Sequence, residues 1–259
     1  MARAARVAVL LSAVILALLA CGAWLYLQGG LRGGELITLR PAVTPFSGLH
    51  IDGLADVTLR QGTTDAVAIE ISARQSPDLS VDVVDGVLRI RYRTPRSWCA
   101  HLFGGAMRTP RIDITVRQLD TIALSGAVKL AAERLRVRQL GIDVSGTARI
   151  RMPELQAEEL AITASGAMKA TLAGSARRQR VVVTGAAEYR AGDLVTDDTS
   201  IDVSGAGRVL VNAQKQLRVE VSGAGAVEYE GDPQLVKHVS GAARVHRRRA
   251  ELDPGHGSA

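Results

Sequence analysis

The chain's best candidates for chemistry stand at fixed distances from a recurring dipeptide. Ser-Gly or Thr-Gly returns seven times, with its hydroxyl at Ser125, Ser145, Ser165, Thr184, Ser204, Ser222 and Ser240. Two residues before that hydroxyl stand Asp143, Asp202, Glu220 and, at the end, His238. Hydrolysis of a glycosidic bond needs two carboxylates, or a carboxylate and a histidine, converging on one bond. Asp202 and Glu220, on successive copies, are the best acid pair available. The alternative is that carboxylates pointing outward from strands form a solvated face. Four residues after the hydroxyl the chain reads Lys129, Arg149, Lys169, Glu188, Arg208, Ala226 and Arg244. Like charges on adjacent strands repel, at somewhat under ~1 kcal/mol per neighbouring pair in water before screening. Lys129, Arg149, Lys169, Arg208 and Arg244 therefore form a candidate anion-binding ladder facing an anionic polymer or lipid head groups. Side chains splayed into solvent, or reaching around the corner to the acidic column, are the alternative.

Other chemistries lack their residues. The stretches "GAGRVL" and "GAGAVE" look like dinucleotide loops, but a pyrophosphate needs a helix N-terminus behind the glycines, and β-formers follow them here. The serines are not in a nucleophile elbow, since no glycine stands two residues before them. The five histidines, His50, His101, His238, His246 and His256, are scattered without metal-ligand spacing. The expectation is a non-enzymatic protein with no cofactor and no metal.

What must position these residues is the repeat itself. Its steps are 18 to 20 residues long. Three residues before the hydroxyl stand Ile122, Ile142, Ile162, Val181, Ile201, Val219 and Lys237. One before it stand Leu124, Val144, Ala164, Val183, Val203, Val221 and Val239, and five after it Leu130, Ile150, Ala170, Tyr189, Val209, Val227 and Val245. All share the parity that sends them to one face of a strand. A unit of two short strands cannot bury that face alone, so units stack at ~4.8 Å. The sequence therefore predicts an all-β chain built as a parallel β-helix, or solenoid, over residues 45–246, with strict repeats over 119–246. Each glycine is expected to bend the path at a φ that β-branched residues resist, and the hydroxyls to bond along their column or to the corner backbone. Ahead of the strict repeats, "HIDGLADVTLRQG", "AVAIEIS" and "LSVDVVDGVLRIRYR" are strand-like, with Asp85-Gly86 as a hairpin turn.

Of the 259 residues, 47% are hydrophobic and only 3% aromatic, with a net charge of +6. Without interleaved aromatics or a reader motif, that charge does not indicate nucleic acid. Residues 1–27 carry Arg3 and Arg6 before an apolar run from Val7 to Leu27, long enough to span a bilayer, with Trp24 and Tyr26 near its end where an interfacial aromatic belt would sit. The expectation is an uncleaved transmembrane anchor with the rest of the chain outside the cytoplasm; the alternative is a lipoprotein modified at Cys21. Residues 28–44 read as a linker and 247–259 as a polar tail. Cys99 alone remains beyond the anchor, so no internal disulfide is expected there. The segment Thr94–Pro110, with Trp98, Phe103 and Met107, reads as a loop over one end of the stack or as a docking surface.

With the repeat assembled, the chain resembles the GIN domain family, described as the head of an auto-transporter adhesin. The resemblance covers about Phe46 to Val245 and rests on "FSGLHIDGLADVTLRQG", "DGVLRI", the recurring "VSGAG" and the closing "YEGDPQLVKHVSGAARV". It implies an exported β-helical domain of the bacterial cell envelope with no established enzymatic activity and no catalytic residues to carry over. The expected function is a membrane-anchored, non-catalytic binding or scaffold module, adhesin-like, whose partner is an anionic glycan, lipid head groups or an envelope protein. Its rivals are an enzyme acting on envelope polysaccharide and a self-assembling scaffold.

Overall fold

The computed structural model describes residues 35–93 and 108–248. The expected anchor with Cys21, the greater part of the Thr94–Pro110 loop and the tail beyond Arg248 lie outside them. Among the described residues no helix is long and apolar enough to cross a membrane. The fold is all-β, a parallel solenoid of about six turns, with one short 3-10 turn at Ser76–Asp78.

The solenoid starts earlier than the strict repeat. β1 (Leu36–Leu39), β2 (Gly48–Gln61), β3 (Ala66–Ser72), β4 (Leu79–Val84), β5 (Val87–Tyr92) and β6 (Arg111–Val116) precede β7 (Thr121–Ala132). β2 lies parallel to β7 with Gly53 opposite Gly126, so Asp52-Gly53 is a further copy of the corner in which aspartate replaces the hydroxyl residue. On the far side of β2 lie β5 and β6, both parallel to it. Antiparallel strands then close this end: β4 on β5, β3 on β6 and β1 on β3. The Asp85-Gly86 hairpin joins β4 to β5 with φ of 53° and 74°, as a two-residue turn with both central residues left-handed requires. Leu36–Leu39, read from the sequence as linker, is instead a strand paired to β3.

Beyond β7 the coils follow as β8 (Leu135–Val144), β9 (Thr147–Ala164), β10 (Ala167–Val183), β11 (Ala186–Val203), β12 (Ala206–Val221), β13 (Ala224–Glu230), β14 (Gln234–Val239) and β15 (Ala243–Arg247). In the first six copies all three phased apolar positions are buried. In the last copy Lys237 and Val239 are exposed and Val245 half-buried, because no further coil among the described residues covers them. The expectation of two strands per unit needs correction. In β9 the alternation slips at Pro153-Glu154 and again at Glu158-Glu159, giving three inward runs: Ala148, Ile150 and Met152; Leu155; then Leu160, Ile162 and Ala164. Pro153 falls in the register shift between Leu172 and Gly174 on the neighbouring strand, where its missing N–H costs no ladder bond.

The corner glycines also work differently from the expectation. Among the described corners only Gly53 and Gly126 have a left-handed φ, at 116° and 86°. The rest are required by close approach. A Cβ on Gly146, Gly166, Gly185, Gly205, Gly223 or Gly241 would overlap the carbonyl oxygen of the corner glycine one coil earlier. The glycines form a column in which backbone packs on backbone, leaving no room for a side chain. Hydroxyls bond to the preceding coil: Ser165 Oγ donates to the Val144 carbonyl at 3.4 Å and Ser125 Oγ to Asp52 Oδ1 at 2.9 Å.

The capped end is pinned by Asp65, whose side chain is only 5% exposed. It accepts hydrogen bonds from the Arg117 backbone N–H at 2.9 Å and from Arg117 Nη2 at 2.8 Å. Burial pushes the Asp65 pKa up, but the Arg117 hydrogen bonds and charge outweigh it and hold the carboxyl below its ordinary value. A carboxylate with a depressed folded pKa stabilises above its unfolded pKa and loses that contribution as pH falls through the folded one. Asp65→Asn is therefore expected to cost about 1 kcal/mol at pH 7, a figure kept small because half of Arg117 stays in water. The difference from wild type should close below about pH 4, as measured by urea denaturation across pH.

Candidate functional site

Along the face that follows the glycine corner, every second residue points outward, and parallel register turns equivalent residues of successive coils into columns. The column two after the hydroxyl includes Ala127, Thr147, Ala167, Ala186 and Ala206. Such small side chains leave a ledge, and an open groove of about 490 Å³ runs along it from Leu54 and Asp56 to Ala206. The next outward column is its wall. There Lys129 faces Arg149, Arg149 faces Lys169, Lys169 faces Glu188 and Glu188 faces Arg208. Arg208 then faces Ala226, and Ala226 faces Arg244 on the last coil.

The predicted ladder is thus a physical column, but its members differ. Lys129 Nζ lies 3.3 Å from Asp56 Oδ1, and Lys169 Nζ lies 2.7 Å from Glu188 Oε2. Arg190 also pairs with Glu188. The hydrogen bond from Lys169, aided by the charges of Arg190 and Lys169 against some desolvation, holds the Glu188 carboxyl below its usual range. These partners belong to the ladder's own face, so the expected alternative of side chains reaching around to the acidic column is not what neutralises it. Among the described residues Arg149 and Arg208 form no ion pair, and Arg244 stands apart beyond Ala226.

Sequence reasoning missed the column beside this one. Six residues after the hydroxyl, Arg151 lies between Ala131 and Thr171, exposed and without an ion pair among the described residues. The unneutralised centre of the face is Arg149 with Arg151, two residues apart on β9. The signal was present in the same spacing argument, one outward step further on.

The acid pair stands on the other side of the corner. Asp202 and Glu220 are register partners, and His238 lies opposite Glu220. Glu220 accepts from Arg218 Nε at 2.9 Å. The three stand on an open strand face, with Asp202 and His238 exposed. A second acid and histidine share a depression several coils away, about 140 Å³ in volume and lined by His50, Asp143, Ser125 and Ser145. Ala123 separates His50 from Asp143 in the register, and Ser125 gives its proton to Asp52, so the hydroxyl is not directed at an imidazole as a nucleophile–base pair requires. No group of three or more metal-ligating side chains occurs among the described residues.

Residues 45–233 match the family described as "Putative auto-transporter adhesin, head GIN domain". The match ends within the phrase "YEGDPQLVKHVSGAARV", before β14 and β15. Among solved structures the chain is similar to a "putative adhesin" from Bacteroides fragilis NCTC 9343, at 21% identity over 83% of this chain and 97% of that one, with a TM-score of 0.75. It is also similar to a "Putative lipid binding protein" from Parabacteroides distasonis ATCC 8503, at 17% identity over 83% and 98%, with a TM-score of 0.64. A "putative adhesin" from the same organism shares 20% identity over 83% and 98%, with a TM-score of 0.62. At these identities the likeness establishes the fold. No curated protein matches the chain.

Proposed function

The chain belongs to the head GIN domain family, and from that premise we propose that it is a non-catalytic binding head of the bacterial cell envelope. Residues 1–27 tether it to the membrane, and the solenoid contacts its partner along the face behind the glycine corners. The observation that carries this reading is the pairing of a small-residue ledge with cations repeated in register over successive coils. A repeated surface of this kind suits an extended or repetitive partner. The similar structures named as adhesins support the direction by name only.

The enzyme alternative asks Asp202 and Glu220 to work with His238 on an open face, without walls to exclude water or orient a substrate. Cells displaying the full-length chain should adhere to purified envelope material and release no soluble glycan fragments from it. Asp202→Asn with Glu220→Gln should leave adhesion unchanged. Fragment release abolished by that double variant would replace the binding head with an enzyme.

A further inference from the structure

Resting on that reading, we propose that the groove binds a polysaccharide bearing regularly spaced carboxylates, a polyuronate, laid along the solenoid axis. The argument begins with charge. Asp56 and Glu188 bound the central run of cations at its two ends, pairing with Lys129 and Lys169 and leaving Arg149 and Arg151 unneutralised between them. Guanidinium groups bind carboxylates through two parallel N–H donors. Two arginines standing side by side without carboxylates are a complement for an acidic ligand rather than part of the protein's own ion-pair lattice.

Spacing comes next. The rungs Lys129, Arg149 and Lys169 sit on successive strands, ~4.8 Å apart, a distance of the order of one sugar residue in an extended chain. A polymer lying along the axis therefore sets one acidic residue against Arg149 and Arg151, with its neighbours over the flanking coils, where Lys129 and Lys169 are already paired. The ledge beside the rungs, with Ala127, Ala167 and Ala186 at its floor, lets a flat ring approach the sheet closely. Its volume falls within the ~300–1,000 Å³ of ordinary ligand sites.

The same ledge disfavours a membrane surface, since interfacial docking inserts large apolar or aromatic side chains among the head groups and the ledge offers alanines. It disfavours single-stranded nucleic acid as well, for which bases stack on aromatic rings.

The test uses the full chain in zwitterionic nanodiscs, with binding to polygalacturonate measured by biolayer interferometry. Wild type should bind the polymer, weaken as salt is raised, and fail to bind its methyl ester, which has the same backbone without the charges. Arg149→Glu with Arg151→Glu should weaken binding by about tenfold or more. Ala167→Trp, which fills the ledge without changing charge, should weaken it comparably. Arg138→Glu with Arg180→Glu, an equal charge change away from the groove, should leave it intact, and thermal melts should show all three variants folded. Equal losses in the control variant, or none in the groove variants, would overturn the assignment. Binding to vesicles of phosphatidylglycerol but not to the polymer would assign the face to lipid, overturning the glycan while leaving a binding head. Absence of adhesion in the cell experiment above would instead remove the binding head itself.

Discussion

Gly166→Ala is expected to lower the melting temperature by about 6–12 °C, corresponding to about 3 kcal/mol in a domain of this size. A methyl group at this position would overlap the Gly146 carbonyl oxygen and lie 2.8 Å from that of Ser145. Both obstacles are backbone, held by parallel ladders on each side of the corner, so relief requires two coils to separate and weakens hydrogen bonds along both flanks. Ser165→Ala, one residue away, removes only a 3.4 Å hydrogen bond to Val144 and should cost about 0.5 kcal/mol or less. Differential scanning calorimetry of the two variants decides the matter. Similar small losses from both would mean that the coils slide apart cheaply and that close packing is not why glycine stands there.

The second large effect concerns the interior. Tyr189 interrupts one aliphatic column, and Gln179, with its register partner Thr199, interrupts another. Tyr189 lies between Ala170 and Val209 in register, and the alanine beside it makes room for the ring. Gln179 Nε2 donates to the Tyr189 hydroxyl at 2.7 Å across the interior, and both residues are buried. Burial pushes the tyrosine pKa well up, so the phenol stays neutral at any working pH. Tyr189→Phe keeps the ring but strands the amide, at a cost of about 1–3 kcal/mol. Adding Gln179→Met removes the stranded group, and the double variant should recover most of the loss. Gln179 Oε1 already lacks a hydrogen-bond partner, so the glutamine is a net burden once its phenol is gone. Chemical denaturation of the cycle tests this; a double variant as unstable as the sum of the singles would show that the hydrogen bond does not couple the two side chains.

The sequence made the solenoid legible because burial in stacked strands is a local, period-two property. Ile142, Val144 and Ile150 announce their inward direction without reference to anything distant. What it hid were contacts between coils. Asp52-Gly53 went unrecognised as a corner because aspartate replaced the hydroxyl residue, although its glycine stacks on Gly126 as the others stack on one another. The spacing points to a conformational role for the corner glycines, which Gly53 and Gly126 keep, but from Gly146 onward the requirement comes from a carbonyl about twenty residues earlier in the chain. Outward pairs such as Glu158-Glu159 carry no apolar signal, yet they turn the path between inward runs. The ladder was legible as a column but not as a site. Which cations are quenched depends on Asp56, from a coil outside the strict repeat, and on the conformations of Lys169 and Arg190 around Glu188.

The coils are unequal in length, and the register shows where the inequality is absorbed. From β9 to β10 the offset falls from 20 to 19 residues between Leu172 and Gly174. From β11 to β12 it drops from 20 to 17 between Ala191 and Val195 and settles at 18 by Asp198. Both adjustments occur at the bends remote from the glycine column, and the rungs from Lys129 to Arg208 stay level throughout. Insertions and deletions can therefore accumulate on the far side of the molecule as on the back of a ruler, while the graduations on the front keep their pitch. Duplicating one whole turn would lengthen the scale by a single mark, which makes reach along a partner an adjustable property of this architecture.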